Sequence, residues 1–381
     1  MSYLALYRKY RSKNFEEIVG QNHITKSLIN QINNNEISHA YLFTGTRGTG
    51  KTSIAKIFAK AINCLNPKNG SPCNECEVCK SLNGAGSVDV YEIDAASNNR
   101  VDEIRDLREK VKYPPVNCRY KVYIIDEVHM LTDSAFNALL KTLEEPPEYV
   151  VFILATTEVQ KLPATILSRC MRFDFKLISE NELINHLKYI FDDSKIKYEE
   201  EALSIIARLG AGSVRDTLSI ADMCVAYSNR NVTYKSVEDA IGITNRELLK
   251  KLNIALLNGD KGEVLSIIDG VAKSGKNMAQ LCKDLVSYVR DVLVVATCKD
   301  YAEILKLPAD QLKDLEEVGK IGDKTKLIEI LSKLSVLDNE FRYTTNPRSL
   351  LEITLVTLCE FELTEINELK MKVKLLESKL K

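Results

Sequence analysis

What this sequence lacks narrows it first. It carries no excess of charge, since 52 lysines and arginines stand against 53 aspartates and glutamates. Bulk electrostatics therefore neither demands nor excludes a nucleic-acid partner, and any such surface has to be a local patch. It has no run of about 18–20 apolar residues, the length a bilayer-spanning helix requires. The opening Met1-Ser2-Tyr3-Leu4-Ala5-Leu6-Tyr7-Arg8 is too short and too basic to hold the apolar core of a signal peptide. No internal repeat or low-complexity segment stands out. These absences lead us to expect a cytoplasmic protein with no membrane partner. The chain of 381 residues exceeds the ~250–300 at which single cores stop growing, which predicts two or three domains.

What is present is organised around Gly45-Thr46-Arg47-Gly48-Thr49-Gly50-Lys51-Thr52. The apolar run Ala40-Tyr41-Leu42-Phe43 precedes it. A pattern with Ile54, Ile57, Phe58 and Ala61 on one helical face follows. Strand, glycine-rich loop and helix in that order fit the phosphate-binding loop G-x-x-x-x-G-K-[ST], in which backbone N–H groups and a helix N-terminus cradle phosphates. Lys51 would supply a cation for the outer phosphates and Thr52 a hydroxyl for Mg²⁺, so a nucleotide is expected.

Farther along, Lys121-Val122-Tyr123-Ile124-Ile125-Asp126-Glu127 reads as a buried strand of a parallel sheet. Its acids fall where such sheets bind ligands, at the carboxyl ends of strands. Asp126 is expected to hold Mg²⁺ and Glu127 to polarise the attacking water. His129 reads as a packing or capping residue, because the acids already fill those roles. Val88–Ile93 and Tyr149–Ala155 are further strands, the second ending in Thr156-Thr157. A helix over Thr132–Glu145 stops at Pro146-Pro147, and Met171–Phe175 is a last short strand. Val101, Ile104, Leu107 and Val111 mark another helix. The cap before it, Ser97-Asn98-Asn99, satisfies helix N–H groups or offers them, with Arg100, to a nucleic-acid phosphate.

Ten cysteines divide into two groups. Cys118, Cys170, Cys224, Cys282, Cys298 and Cys359 are scattered in mostly apolar company and read as reduced core residues. Cys64, Cys73, Cys76 and Cys79 are clustered, and their two-residue spacings suit four thiolates converging on a structural Zn²⁺. Disulfides and an iron–sulfur cluster are the rivals. Residues Tyr7, Arg8, Lys9, Tyr10, Arg11 and Lys13 form either a solvated basic arm or an arm folded over a bound base, with Ile18 and Val19 on its apolar face.

From Ser179 the pattern becomes helices only, near 180–191, 198–209, 213–228 and 233–241, opened by the capping box Ser179-x-x-Glu182. Residues 245–363 are again helical. Val289, Val292, Val295, Ala296 and Leu350, Ile353, Leu358 suggest faces that pack within the domain or between subunits. The tail from Ile366 repeats too few heptads to claim a coiled coil.

Together, the phosphate loop, the acidic strand and the helical lid resemble a AAA+ ATPase. Several stretches narrow this: Tyr7-Arg8-Lys9-Tyr10-Arg11 to Val19-Gly20-Gln21, the cysteine insertion behind the phosphate-loop helix, Ile93-Asp94-Ala95-Ala96-Ser97-Asn98, Asp126-Glu127-Val128-His129-Met130-Leu131, Ala155-Thr156-Thr157-Glu158, Ser168-Arg169-Cys170 and Gly212-Ser213-Val214-Arg215-Asp216. Through them the chain resembles the gamma/tau subunits of bacterial DNA polymerase III, densely over 1–242 and more loosely over 243–363. The resemblance implies an α/β P-loop AAA+ domain at 1–178, a parallel sheet with helices on both faces and a zinc module at 64–79. A helical lid at 179–242 and an all-α collar at 243–363 would follow, and the apolar spacing from Ile366 reads as a helical tail at 364–381.

The same resemblance implies an ATP-hydrolysing motor of the replicative clamp loader, which opens the sliding clamp and loads it on primer–template DNA. Arg169 would reach the γ-phosphate held by a neighbouring subunit. Arg215 would contact phosphate within its own subunit, and Thr157, or Thr156, would be the sensor ending the fourth strand. Tyr7, Arg8, Arg11, Val19, Gly45, Gly48, Thr49, Gly50, Lys51, Thr52 and Ser53 would line the nucleotide, with Thr52 and Asp126 on Mg²⁺. Delta, delta-prime and further copies of the chain are the implied assembly partners, joined through the collar. The longer form of that family continues into regions that bind the replicative helicase and the polymerase. The resemblance does not reach those regions, so neither partner is carried over. A Holliday-junction helicase motor would share the ATPase parts but lack the cysteine cluster. A nucleotide-binding scaffold without hydrolysis would be expected to lose Lys51 or Glu127.

Overall fold

The computed structural model describes residues 4–360 apart from 83–87, 98–105, 108, 243–244, 306, 308 and 342. Five strands, β1 (Ala40–Thr44), β2 (Val90–Asp94), β3 (Lys121–Asp126), β4 (Val150–Thr156) and β5 (Met171–Asp174), form one sheet in the order β2-β3-β4-β1-β5. Every neighbouring pair is parallel. β1 and β4 are buried at every position, which is why they read as unbroken apolar runs: both of their faces are covered.

Alternate residues of the strands feed two separate cores. Tyr41, Phe43, Ile124, Val151 and Ile153 pack with Ile24 and Leu28 of α2 (Asn22–Asn34) and with Ile54 and Phe58 of α3 (Lys51–Asn63). Leu42, Tyr123, Ile125, Phe152 and Leu154 pack with Phe136, Leu139 and Leu143 of α5 (Asp133–Glu144) on the other face. The short helices α1 (Leu6–Lys9), α4 (Glu77–Ser81) and α6 (Ala164–Leu167) complete this part. Toward the β2 edge, Tyr91 stacks on Tyr123 at 5.0 Å and Tyr123 on Phe152 at 5.5 Å between ring centroids. That ladder supplies apolar area where the half-exposed edge strand has least of its own.

Parallel pairing sets the strand ends level, with Thr44 beside Thr156 and Asp94 beside Asp126. The phosphate loop and both acids therefore emerge on one rim. The expected helix near 101–111 is described only in part, with Leu107 and Val111 both buried. Asn98, Asn99, Arg100, Val101 and Ile104 lie outside the described residues, as does the tail at 364–381.

Beyond the sheet come α7 (Glu180–Asp193), α8 (Glu200–Leu209), α9 (Val214–Tyr227) and α10 (Tyr234–Ile241). The Ser179 hydroxyl accepts the Glu182 N–H while the Glu182 carboxylate accepts the Ser179 N–H, a complete capping box. The expectation of helices only needs correcting here. Lys197–Tyr198 and Asn231–Val232 form a two-residue parallel pair, which satisfies backbone groups at the ends of two loops and moves the start of α8 to Glu200.

The chain divides into two compact units, Met1–Val237 and Glu238–Lys381. The second holds helices Arg246–Asn258, Lys261–Lys273, Met278–Thr297, Tyr301–Leu305, Ala309–Ile321, Lys324–Glu340 and Pro347–Cys359. Leu252, Leu256, Ile268, Leu285, Val289, Val292, Leu315, Leu334, Leu351 and Leu355 form its core. Of the stripes read from the sequence, Val289, Val292 and Leu358 are buried, while Ile353 is 66% exposed and takes no part in that core.

Candidate functional site

The phosphate loop turns between β1 and α3 through backbone angles closed to most side chains. Gly48 has φ +78°, and a Cβ there would stand 1.9 Å from the Ser213 hydroxyl oxygen, so only glycine lets the lid approach. The lid does approach: the Val214 N–H donates to the Gly48 carbonyl at 3.0 Å. Gly50, at φ +103°, caps α3 and has nothing within 4 Å of where a Cβ would be, leaving the helix N-terminus open. Lys51 is 5% exposed. Its ammonium donates to the carbonyls of Gly45 and Thr46 at 2.7 and 2.9 Å. Burial pulls its pKa below the usual lysine value, and the nearby Glu127 and Asp126 carboxylates oppose that shift.

The acidic strand end lies against the loop. The Thr52 hydroxyl donates to Asp126 Oδ2 at 2.6 Å, a charge-assisted contact, while Asp126 Oδ1 accepts the Glu127 N–H at 3.0 Å. Glu127 turns out of the strand with a left-handed φ of +48°. Its Oε2 accepts the Thr157 hydroxyl at 3.0 Å and the Thr157 N–H at 3.3 Å. Of the two threonines, it is thus Thr157 that touches the acid. Thr156 is fully buried, with its hydroxyl 3.0 Å from His129 Nδ1. His129 does pack, as expected, but it also sits between two carboxylates, 3.5 Å from Glu127 Oε2 and 3.4 Å from Glu158 Oε1.

These groups face a cleft of about 540 Å³. The loop from Arg47 to Ser53, Asp126 and Glu127 form its floor. Tyr7, Arg8, Tyr10, Arg11, Ile18 and Val19 form one wall, and His186, Val214, Arg215 and Leu218 of the lid form another. The N-terminal arm is therefore folded over the cleft and not simply solvated. The Leu6 N–H donates to Asp222 Oδ2 at 2.8 Å, and the Tyr10 hydroxyl meets Asp193 and Ser194. Arg11 reaches the Ser53 hydroxyl at 3.4 Å, and the Arg215 guanidinium lies 5.7 Å from the centre of the Tyr7 ring.

Arg169 stands apart from this cleft. It lies in the turn just after α6, donating to the Thr165 carbonyl at 2.7 Å and pairing with Glu144 at 2.8 Å, with a third of its side chain exposed. Beside Arg215, which the sequence had singled out, two residues of the lid wall are what sequence reading missed. His186 and Leu218 carry no motif, and only the packing of α7 and α9 brings them to the loop. Gln21 was legible as part of Val19-Gly20-Gln21, but its work was not. Fully buried, its amide donates to the carbonyls of Lys176 at 2.7 Å and Thr49 at 3.4 Å, pinning the loop from behind.

All ten cysteines are free thiols. The Sγ atoms of Cys64, Cys73, Cys76 and Cys79 lie within 4.8 Å of one another. The separations Cys64–Cys73 and Cys73–Cys79 are 3.4 and 3.9 Å. A tetrahedron with Zn–S bonds of ~2.3 Å has edges of ~3.8 Å, so the four positions fit that ion. N–H groups of Glu75 and Cys76 point at Cys73 and draw its thiol below the usual cysteine value, which favours the thiolate a metal binds.

Comparison with known proteins accounts for nearly the whole chain. A family model described as "DNA polymerase III, delta subunit" matches residues 20–179. One described as "DNA polymerase III clamp loader subunit, ATPase lid domain" matches 182–230, and "DNA polymerase III subunits gamma and tau domain III" matches 232–373. DNA polymerase III subunit tau of Bacillus subtilis is 44% identical over all of this chain, which covers 68% of that protein. The Escherichia coli subunit tau is 41% identical over 77% of the chain, with 46% of that protein covered. The subunit gamma of Buchnera aphidicola is 40% identical over 80% of the chain, and 83% of it is covered. The chain thus spans between about half and four-fifths of these relatives. The identity to these relatives and the match to the gamma and tau domain decide against a Holliday-junction motor, which would share the ATPase parts: this chain belongs to the gamma/tau subunit family of bacterial DNA polymerase III.

Proposed function

We propose that this chain is an ATP-hydrolysing motor of a clamp loader, which opens a sliding clamp and places it on primer–template DNA. The observation that carries the reading is one cleft that gathers an open helix N-terminus at Gly50, the Thr52–Asp126 pair and Glu127, closed over by Arg215 from the lid. Backbone N–H groups there, with Lys51, would hold the phosphates. Thr52 and Asp126 would hold Mg²⁺, which when bound neutralises charge on the phosphates. Glu127, oriented by Thr157, would draw the proton from the attacking water. Tyr7, Arg8, Arg11 and Val19 would enclose the base and ribose, and Arg215 would touch phosphate and carry its presence to α9.

Division into a nucleotide-binding domain at 1–178, lid at 179–242 and collar at 243–363 is part of the same proposal, with assembly through the collar alongside delta, delta-prime and further copies of the chain. None of the described helices is long and apolar enough to cross a membrane, and a cytoplasmic site of action follows from the proposed role in replication.

The test is ATP hydrolysis by the chain with partner subunits, with and without sliding clamp and primed DNA. Stimulation of at least tenfold by clamp and DNA together is expected, as in electrostatically poised phosphoryl-transfer sites completed in trans. Absence of hydrolysis under all conditions would leave a scaffold that binds nucleotide without cutting it.

Four thiolates leave zinc no open coordination position, so the metal's contribution would be structural. Elemental analysis of the purified chain is expected to find one zinc per molecule and none in Cys73→Ser. Iron with sulfide in place of zinc would overturn this assignment.

A further inference from the structure

The cysteine loop does more than close on itself. Its residue Ser71 is 4% exposed, and its hydroxyl meets both carboxylate oxygens of Glu16, at 2.9 and 2.8 Å. The same oxygen lies 3.4 Å from the Phe15 N–H. Ser71 is itself held by a reciprocal pair of backbone hydrogen bonds with Lys68, both 2.9 Å, two residues before Cys73. Farther on, the Asn74 amide reaches the Lys13 carbonyl at 3.4 Å. Gly70, with φ +78°, presses against Ile29 of α2, where a Cβ would stand 2.9 Å from Ile29 Cγ2. The loop thus holds the turn Phe15–Glu17 through Ser71, with further contacts to Lys13 just before it and to Ile29 of α2.

That turn joins the two strips of the cleft's N-terminal wall. Tyr7, Arg8 and Arg11 lie before it, Ile18 and Val19 after it. Inside the turn, the Glu17 carboxylate accepts the Lys13 N–H at 2.6 Å and the Ser12 hydroxyl donates to the Glu17 carbonyl at 3.2 Å, so the strips are braced to one another. Phe15, 3% exposed, plugs the turn into the core beneath α3. The carboxylate of Glu16 is otherwise turned to water, and its double contact with a buried hydroxyl is the kind of hydrogen bond that sets a turn's position.

We propose that Ser71 and Glu16 are positioning residues for the nucleotide cleft, through which the cysteine loop holds the wall that receives base and ribose. The inference rests on the reading of that cleft as an ATP site. The cysteine loop, at the far end of α3 from the phosphate loop, thereby acts on the base side of the site and not on its phosphates.

Two measurements on the full chain test this, one of them independent of any nucleotide. Hydrogen exchange at Phe15–Val19 is expected to quicken about tenfold in Ser71→Ala, with α3 and β1 unchanged and zinc content unaltered. Glu16→Ala cuts the same contact without touching the cysteine loop and is expected to act alike, while Ser71→Thr restores protection. In titrations with ATP and with inorganic tripolyphosphate, both alanine variants should bind ATP about five- to tenfold more weakly and tripolyphosphate within about twofold of the parent, the net contribution of about one ordinary hydrogen bond. Unchanged exchange at Phe15–Val19 in Glu16→Ala overturns the proposal, as does equal weakening of both ligands. Faster exchange in a protein whose parent holds ATP no better than tripolyphosphate upholds the coupling and overturns instead the base-side reading of the cleft.

Discussion

Arg169→Ala is expected to bind ATP as the parent does and to lose about 10³–10⁵ in DNA-stimulated hydrolysis once assembled with its partner subunits, the range an arginine supplied in trans is worth. The geometry favours that split. Arg169 lies just past α6 and does not line the cleft of its own chain, so nothing in local nucleotide binding should depend on it. Its partner Glu144 has half of its side chain exposed, and ion pairs in such settings contribute little. The guanidinium is therefore free to exchange Glu144 for a phosphate on an adjoining subunit at small cost. Nucleotide binding measured by titration and turnover measured with clamp and primed DNA check both halves. Hydrolysis surviving within about threefold would remove Arg169 from the reaction.

Glu127→Gln is the second large effect. The amide keeps the side chain's size and can still accept from Thr157, so the cleft and its ATP affinity should persist. What it cannot do is take a proton, and general-base contributions run to about 10²–10⁴. Because Asp126 keeps its bond to Thr52, the proposed Mg²⁺ position is untouched, and the loss should appear in kcat with KM unchanged or lower. The left-handed backbone at Glu127 adds weight. A non-glycine residue held at positive φ at a strand end costs free energy that a merely solvated acid would avoid by relaxing. Turnover within about tenfold of the parent would shift the base role elsewhere, with His129, 3.5 Å away, next in line.

Much of the cleft was legible because its chemistry is local. Gly48 to Thr52 run consecutively from the loop into the first turn of α3, and their spacing matches the phosphate-loop pattern. Asp126 and Glu127 were legible for a related reason. A strand covered on both faces reads as a continuous apolar run, so the first acids after it mark the sheet's carboxyl rim. The cysteine cluster was legible because two-residue spacings return thiols to one side of a turn, and its sulfurs do converge within 4.8 Å.

Other features carried no such periodicity. Nothing in the local sequence of Lys197–Tyr198 or Asn231–Val232 forecasts that they pair, since a two-residue strand exists only when tertiary folding brings its partner alongside. Thr156 and Thr157 are adjacent and chemically identical. Only the tertiary structure buried the first, the last residue of β4, beside His129 and left the second, just past the strand, against Glu127.

The sequence by itself thus determined that there is a phosphate loop, an acidic strand and a four-thiol cluster, because each is written in consecutive residues whose spacing answers a short-range geometric need. The tertiary structure alone decided that the basic arm closes over the cleft and that His186 and Leu218 wall it from the lid. It alone joined Ser71 of the cysteine loop to Glu16. Those contacts span distances along the chain over which no periodicity survives, and they exist only because the sheet and its two cores bring the segments together.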